Sequence, residues 1–108
     1  GHALEVASGY RLRHGSAVAL GLRVAAAIAT GRGADPELAP RLDELLGRLG
    51  FRLTQELDPD AVRAAMLTDK KRRAGRQRWI LPMEIGRVAE ADDVSEAELK
   101  RALAVIRS

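Results

Sequence analysis

The sequence predicts a mainly α-helical fold with one small β-hairpin. Hydrophobic residues make up 46% of the 108 residues, but aromatic residues only 3%. A core of this composition is built from Ala, Val, Leu and Ile. Because strands favour aromatic and β-branched side chains, packed helices are favoured over a sheet sandwich. Apolar residues also recur at helical spacing between helix start and stop signals. A chain of this length fits one domain.

The first third of the chain contains two predicted helices joined by a short connection. Residues 2–8 are expected to end a helix that Gly9 closes, and residues 10–14 to lead to the next helix. From Gly15 to Thr30 the sequence is apolar on nearly every side, with only Arg23 as an interruption. Because a helix that is apolar all round is normally buried, we expect this helix to lie inside the core.

Asp-Pro pairs mark the predicted starts of the next two helices. Asp35-Pro36 places Asp at the N-cap and Pro in the first turn, and Asp58-Pro59 repeats the signal. Gly50 closes the first of these two helices. Between Pro36 and Gly50, five leucines fall on one face at helical spacing: Leu38, Leu42, Leu45, Leu46 and Leu49.

The last third of the chain combines a predicted loop, a hairpin and a final helix. The charged residues 69–77 are expected to form a loop. Short β-like segments at 78–82 and 85–89 predict a two-stranded hairpin near residues 77–89. Residues 95–98, Ser-Glu-Ala-Glu, form a capping box, so a last helix is expected to start there and to run to about Ile106.

Composition argues against several classes of protein. The absence of cysteine excludes a disulfide framework and a thiolate metal site. No stretch reaches the roughly eighteen apolar residues of a membrane span, and no signal peptide is present. The net charge is only +3, and no aromatic residues interleave with the basic cluster at 70–78, which disfavours nucleic-acid binding. We therefore expect a cytoplasmic protein with no membrane or nucleic-acid partner, cut from a longer chain because it starts without Met.

Two histidines and two lysines are the candidate functional residues. His14 precedes the predicted buried helix, and His2 lies twelve residues earlier across a short turn, so both could face one cleft. A catalytic zinc site needs three protein ligands, so two surface or cap histidines are the alternative interpretation. Lys70 and Lys71 could bind a phosphate or carboxylate as point charges, or belong to a solvated loop. Ser16 near His14 lacks a nucleophile elbow, which disfavours a hydrolase.

Several motifs together resemble the 3-dehydroquinate synthase family. Residues 1–5, Gly-His-Ala-Leu-Glu, are similar to the second half of its signature Gly-His-x-x-Gly-His-Ala-Ile-Glu. Residues 14–21, His-Gly-Ser-Ala-Val-Ala-Leu-Gly, resemble its His-Gly-Glu-Ala-Val-Ala-Ile-Gly. A later block, Asp69-Lys70-Lys71 with Gly75, Ile80-Leu81-Pro82 and Ile85-Gly86, follows in the family's order. The resemblance therefore spans nearly the whole chain.

The resemblance implies an enzyme of the shikimate pathway. These carbon–oxygen lyases convert 3-deoxy-arabino-heptulosonate 7-phosphate, a sugar phosphate, into 3-dehydroquinate and phosphate. They use NAD and a divalent metal, zinc or cobalt, and the resemblance suggests a homodimer. Residues 1–108 would be the helical C-terminal domain, which contributes metal and substrate contacts. The NAD-binding N-terminal domain would be missing, so this piece alone is expected to be inactive.

The resemblance also implies roles for individual residues. His14 matches a zinc ligand. His2 matches a substrate-contacting histidine linked to proton transfer, and Lys70 or Lys71 matches a lysine that meets the substrate. Ser16 departs from the family, which has Glu at that position. A valiolone-type or inosose-type cyclase is therefore the main alternative, followed by a non-catalytic helical interaction module.

Overall fold

The fold is mainly helical with one antiparallel hairpin, as predicted. A computed structural model of the chain describes residues 1–72 and 77–108. No helix within those residues is long and apolar enough to span a membrane. In chain order the elements are α1 (His2–Ala7), α2 (His14–Gly31), α3 (Leu38–Arg48), α4 (Pro59–Arg72), β1 (Trp79–Glu84), β2 (Arg87–Ala91) and α5 (Glu96–Ile106).

Helix α2 is the centre of the core, which confirms that it is buried. It packs against α1, α3, α5 and β1. Its inward face is nearly inaccessible to solvent at Ala17, Leu20, Val24 and Ile28. Burying a side chain such as Leu20 stabilises the fold by roughly 1.5–3 kcal/mol. The many alanines of α2 carry little bulk, so the neighbouring elements can approach its backbone closely.

Arg23 is the polar exception in α2, and it connects α2 to three other parts of the chain. Its Nε donates to one Asp43 oxygen at 2.6 Å, and its Nη2 donates to the other at 3.1 Å. Its Nη1 donates to the carbonyls of Leu53 and Val105. Only 10% of the Arg23 side chain is exposed. A charge inside an apolar helix is tolerated here because several acceptors surround it.

The two Asp-Pro pairs start their helices differently. Asp58 accepts from the Asp60 backbone N–H at 3.0 Å and stands directly before Pro59, so that predicted start is confirmed. Asp35 makes the same local bond, to the Glu37 N–H, but α3 begins only at Leu38. The prediction of Asp35 as N-cap is therefore wrong. The Asp35 N–H donates to the Met83 carbonyl of β1, so this residue is tied to the hairpin rather than to the helix.

The leucine face of α3 is buried only in part. Leu46 is 5% exposed, but Leu45 and Leu49 are 54% and 64% exposed. Helix α3 lies against α2 and makes only a few contacts with β1. A single neighbouring helix covers a narrow stripe, so leucines at the edge of the face stay in contact with solvent.

The predicted loop at 69–77 is wrong over its first four residues. Helix α4 continues through Asp69, Lys70 and Lys71 and ends at Arg72. Lysine and arginine are good helix formers, which favours this continuation over a loop. Residues 73–76, which include Gly75 of the motif, lie outside the described residues.

The hairpin and the last helix agree with prediction. Strands β1 and β2 pair antiparallel with Leu81 opposite Ala89, a bulge falls between Pro82 and Glu84, and Gly86 in the turn has a φ of +85°. Leu81 is 1% exposed and anchors the hairpin on the core. The capping box of α5 is present, with the Ser95 and Glu98 backbone N–H groups each bonded to the other residue's side chain at 3.1 Å.

Candidate metal and substrate site

His14 is the first residue of α2, and one edge of its ring is held by a carboxylate. Its Nδ1 lies 2.5 Å from Oε1 of Glu5 in α1. The Glu5 side chain is only 16% exposed, whereas the His14 side chain is 81% exposed. The carboxylate is therefore packed into the protein while the imidazole faces solvent. Because an ionised carboxylate only accepts hydrogen bonds, Nδ1 must be the donor and carry the proton.

A tight turn between α1 and α2 brings these two residues together. The buried Ser8 hydroxyl donates to the Glu5 carbonyl at 2.9 Å and accepts from the Leu12 N–H at 3.2 Å. The Tyr10 N–H also donates to the Glu5 carbonyl, at 2.8 Å. Gly9 and Tyr10 both adopt left-handed backbone conformations, with φ of 64° and 62°. This conformation is easy for glycine but costs energy for tyrosine. The turn closes the chain so that α2 starts beside Glu5.

His2 lies at a different place, where it is exposed and lines a cleft. The cleft measures about 260 Å³ and lies between α1, α4 and the hairpin. Asp69, Arg78 and Trp79 line it together with His2, and apolar residues such as Val62 form its lining towards the core. This volume is slightly below the roughly 300–1,000 Å³ typical of small-molecule sites.

His14 is not among the residues that line the His2 cleft. The expectation that both histidines face one cleft is therefore not met within the described residues. The link between them runs through α1, since His2 and Glu5 are three residues apart on the same helix. Side chains at that spacing are neighbours on one helical face. The two histidines thus belong to one end of the molecule but to separate surroundings.

The two lysines lie on the last turn of α4 and point in different directions. Both are exposed. Successive residues of a helix are rotated by about 100° about the helix axis. The side chains of Lys70 and Lys71 therefore leave α4 in different directions. Asp69 faces the His2 cleft, and Lys70 lies one step around the helix, beside Gln77 in a neighbouring shallow depression. Lys71 lies a further step away from Asp69. Of the two lysines, Lys70 is therefore nearer the cleft.

The described residues contain no complete metal site. Across 1–72 and 77–108, no three His, Cys, Asp or Glu side chains are grouped so that they could hold a metal ion. His14 nevertheless has the chemistry of one ligand, because its Nδ1 is held by Glu5 and its Nε2 edge is turned away from that contact. Metal-bound histidines commonly donate their other ring N–H to a carboxylate. His14 thus fits a metal as a single contributor.

Sequence reasoning missed three residues at this end of the molecule. Glu5 and Ser8 position His14, and Arg78 lines the His2 cleft. Glu5 was visible only as part of the motif at 1–5. Its contact with His14 depends on the turn at 8–12, which no local sequence pattern predicts. Ser16 lies in the first turn of α2.

Comparison with known proteins assigns the chain to a family. The family model described as 3-dehydroquinate synthase C-terminal matches residues 1–72, which contain both histidines and both lysines. The chain belongs to the 3-dehydroquinate synthase C-terminal family. The hairpin and α5 lie beyond the matched residues. The relatives and the solved structure described next match nearly the whole chain.

Relatives include cyclases of two kinds. A 2-epi-valiolone synthase of Actinosynnema mirum is 40% identical, and a 3-dehydroquinate synthase of Thermococcus kodakarensis is 39% identical, each over 99% of this chain. A solved 2-epi-5-epi-valiolone synthase of Streptomyces hygroscopicus, with NAD+ and Zn2+ bound, matches with a TM-score of 0.85 and 28% identity over 95% of this chain. The family therefore groups sugar-phosphate cyclases that share this helical fold.

The chain spans about 30% of the length of the curated relatives it matches. It spans a similar share, 29%, of the solved cyclase. These proportions agree with the prediction that enzymes of this family contain a domain besides the one that this chain matches.

Proposed function

We propose that this chain is the metal- and substrate-contacting domain of a sugar-phosphate cyclase. We propose further that the longer protein converts 3-deoxy-arabino-heptulosonate 7-phosphate into 3-dehydroquinate and phosphate. The observation that carries the proposal is the His14–Glu5 pair, which presents one free imidazole edge at the start of the central helix. The motif resemblance supports His14 as a zinc ligand, and His14 lies within the residues 1–72 that the family model matches.

His14 would hold the metal through Nε2, and we assign the other ligands and the NAD site to parts of the longer protein outside this chain. When bound, the metal supplies Lewis-acid polarisation of a substrate oxygen, and NAD supplies a reversible hydride acceptor. His14 would contribute one ligand atom at a restrained position, because its ring is held by Glu5 and its backbone by the N-terminal turn of α2.

His2 is the proposed proton-transfer residue of this domain. His2 is exposed and lines the cleft, where its imidazole can reach a bound ligand. Imidazole exchanges protons near neutral pH, so His2 can hold or move the proton required as phosphate leaves. Arg78 lines the same cleft and adds a permanent positive charge, which suits a phosphate ester.

The lysines provide a matched test of substrate binding. We expect Lys70→Ala to raise KM roughly ten- to a hundredfold, because a hydrogen bond to a charged group contributes about 1.5–3 kcal/mol. Lys71→Ala, which differs only in direction around α4, is the control and should change KM less than threefold by rough estimate. Steady-state phosphate release by the longer protein measures both. A larger effect at Lys71 would contradict the assignment of Lys70.

A valiolone-type cyclase is the second candidate. The 40% identity to a 2-epi-valiolone synthase and the solved valiolone-type neighbour favour it, as does Ser16 in place of the family's Glu. Phosphate release from 3-deoxy-arabino-heptulosonate 7-phosphate and from sedoheptulose 7-phosphate separates the two reactions. We expect turnover of the first substrate only. Turnover of sedoheptulose 7-phosphate alone would establish the second candidate, and turnover of neither would favour a non-catalytic module. The His14→Ala variant is the blank for each assay.

A further inference from the structure

We infer that Glu5 is a positioning residue that sets the ring tautomer and orientation of His14 so that Nε2 is offered to a metal. The inference rests on the proposed function of His14 and deepens it. The contact between Glu5 Oε1 and His14 Nδ1, at 2.5 Å, is its direct basis. Glu5 is therefore the carboxylate that this chain provides behind His14.

The chemistry of the pair selects one tautomer. A neutral imidazole has one N–H and one lone pair, and it binds a metal through the lone pair. The Glu5 carboxylate can only accept, so the proton stays on Nδ1 and the lone pair on Nε2. Without a carboxylate behind it, an imidazole exchanges between both tautomers and both ring orientations. Glu5 removes that freedom before any metal arrives.

The burial of the two side chains shows which residue positions the other. The Glu5 side chain is 16% exposed and that of His14 is 81% exposed. A surface ion pair usually joins two mobile side chains and contributes little to stability. Here the carboxylate is confined and the imidazole is open on its far edge. Confinement on one side and access on the other is the arrangement that a metal ligand needs.

The backbone of Glu5 is restrained as firmly as its side chain. Its N–H donates to the Gly1 carbonyl at 3.1 Å. Its carbonyl accepts from the Tyr10 N–H and from the Ser8 hydroxyl. The residue that holds His14 therefore also accepts the bonds that shape the turn leading to His14. The positions of carboxylate and imidazole are set by one hydrogen-bonded unit of about ten residues.

A purely structural role for Glu5 is the competing explanation. Helix α2 has no side-chain N-cap bond, and a carboxylate near its first residue also favours the positive end of the helix dipole. That role would change stability on mutation, but it would leave the tautomer of His14 without a preference. The tautomer is thus the property that distinguishes positioning from simple helix support.

Nitrogen-15 NMR of the imidazole side chains in this chain measures the tautomer directly. At a pH where His14 is neutral, we expect its Nδ1 to be protonated and its Nε2 to be unprotonated. In Glu5→Ala the two nitrogens should shift towards an exchange-averaged mixture. Glu90→Ala, at an exposed glutamate on β2, is the matched control and should leave the His14 spectrum unchanged. A proton on Nε2 of the parent chain overturns the inference.

Metal affinity of the longer protein, measured by competition with a chromophoric zinc chelator, gives the second readout. We expect Glu5→Ala to weaken zinc binding about 10- to 100-fold, as is typical when the partner of a metal-bound histidine is removed. Glu5→Gln retains an acceptor and should recover part of the loss. Unchanged affinity in Glu5→Ala overturns the inference.

The two readouts separate failure of the inference from failure of the proposed function. A parent protein that binds zinc but carries its His14 proton on Nε2 keeps the proposed function and removes the role of Glu5. A parent that binds no zinc while His14 is protonated on Nδ1 removes the metal function, and it leaves Glu5 as a residue that orients the His14 ring without a metal.

Discussion

The two ends of α2 hold their charged and polar side chains in opposite ways. Just past the C-terminal end, Arg32 donates to both carboxylate oxygens of Glu98 and to the side chain and carbonyl of Asp93. Earlier in the helix, Arg23 is held by four hydrogen bonds and is almost fully covered. At the N-terminal end, His14 has a carboxylate on one edge only, and 81% of its side chain is exposed.

This difference separates the structural groups from the proposed functional ones. The donors of Arg23 and Arg32 find their acceptors inside this chain, so these residues contribute to holding the helices together. The second ring nitrogen of His14 has no hydrogen-bond partner among the described residues. A fold can place a charged side chain for stability or keep it accessible for a ligand, and α2 does each at a different end. The comparison predicts that stability and metal binding respond to different mutations.

The largest expected loss of stability is at Arg23. Arg23→Met removes the charge and leaves Asp43 and two carbonyls without their donor, so we expect a loss of about 2–3 kcal/mol. The matched control is Arg48→Met. Arg48 forms an exposed i,i+4 pair with Glu44, so its loss should stay below about 0.5 kcal/mol. Urea unfolding measures both. Equal losses of stability in the two variants would contradict the structural role assigned to Arg23.

A smaller loss is expected at the turn that supports the site. Ser8→Ala removes one buried hydroxyl that bonds to Glu5 and Leu12, which should cost about 1–2 kcal/mol. It should also loosen the His14 ring, visible as a partial loss of its tautomer preference. Ser16→Ala is the control in the first turn of α2, where Ala is the better helix former and stability should hold or rise slightly. A stable Ser8→Ala variant would show that the turn forms without this hydroxyl.

Acid should weaken the C-terminal end of α2 selectively. Hydrogen bonds from Arg32, and then from the Ser95 backbone, lower the pKa of Glu98 from 4.5 to about 2. A lowered folded-state pKa gives stability that is complete above the unfolded value of 4.5 and is lost as pH falls towards 2. Glu98→Gln keeps an acceptor for the capping box but not the charge. The difference in urea midpoint between parent and Glu98→Gln should therefore shrink over this range.

The control for the acid experiment is Glu90→Gln on β2. Glu90 is exposed, and its substitution tests whether any surface glutamate produces the same trend. A parent–variant difference that stays constant from neutral pH to about pH 2 for Glu98→Gln would contradict the role of the Arg32–Glu98 pair.

The smallest expected effect on stability is at His14 itself. His14→Ala removes an exposed ring, so the free energy of unfolding should change by no more than about 0.5 kcal/mol. The same substitution should abolish high-affinity zinc binding by the longer protein. Thermal unfolding and chelator competition measure the two quantities. A strongly destabilised His14→Ala variant would place this residue with Arg23 among the structural groups.

Much of the fold followed from local sequence patterns. The capping box at Ser95, the buried α2 and the hairpin were predicted because each depends on neighbours close in sequence. Two identical Asp-Pro signals, however, had different outcomes. Asp58 starts α4, while Asp35 is bonded through its N–H to Met83, forty-eight residues away, and α3 starts later. A tertiary bond decided between two conformations that the local sequence allows equally.

The candidate site divides in the same way. The sequence by itself singled out His2, His14 and the two lysines, and it carried the motifs that place the chain in its family. Only the tertiary structure paired Glu5 with His14, placed His2 beside Asp69 and Arg78, and turned Lys70 and Lys71 in different directions. The physical reason is that a sequence motif specifies only which chemical groups are present. The distance between them depends on how the turn at Ser8 closes and on how α1 and α4 pack.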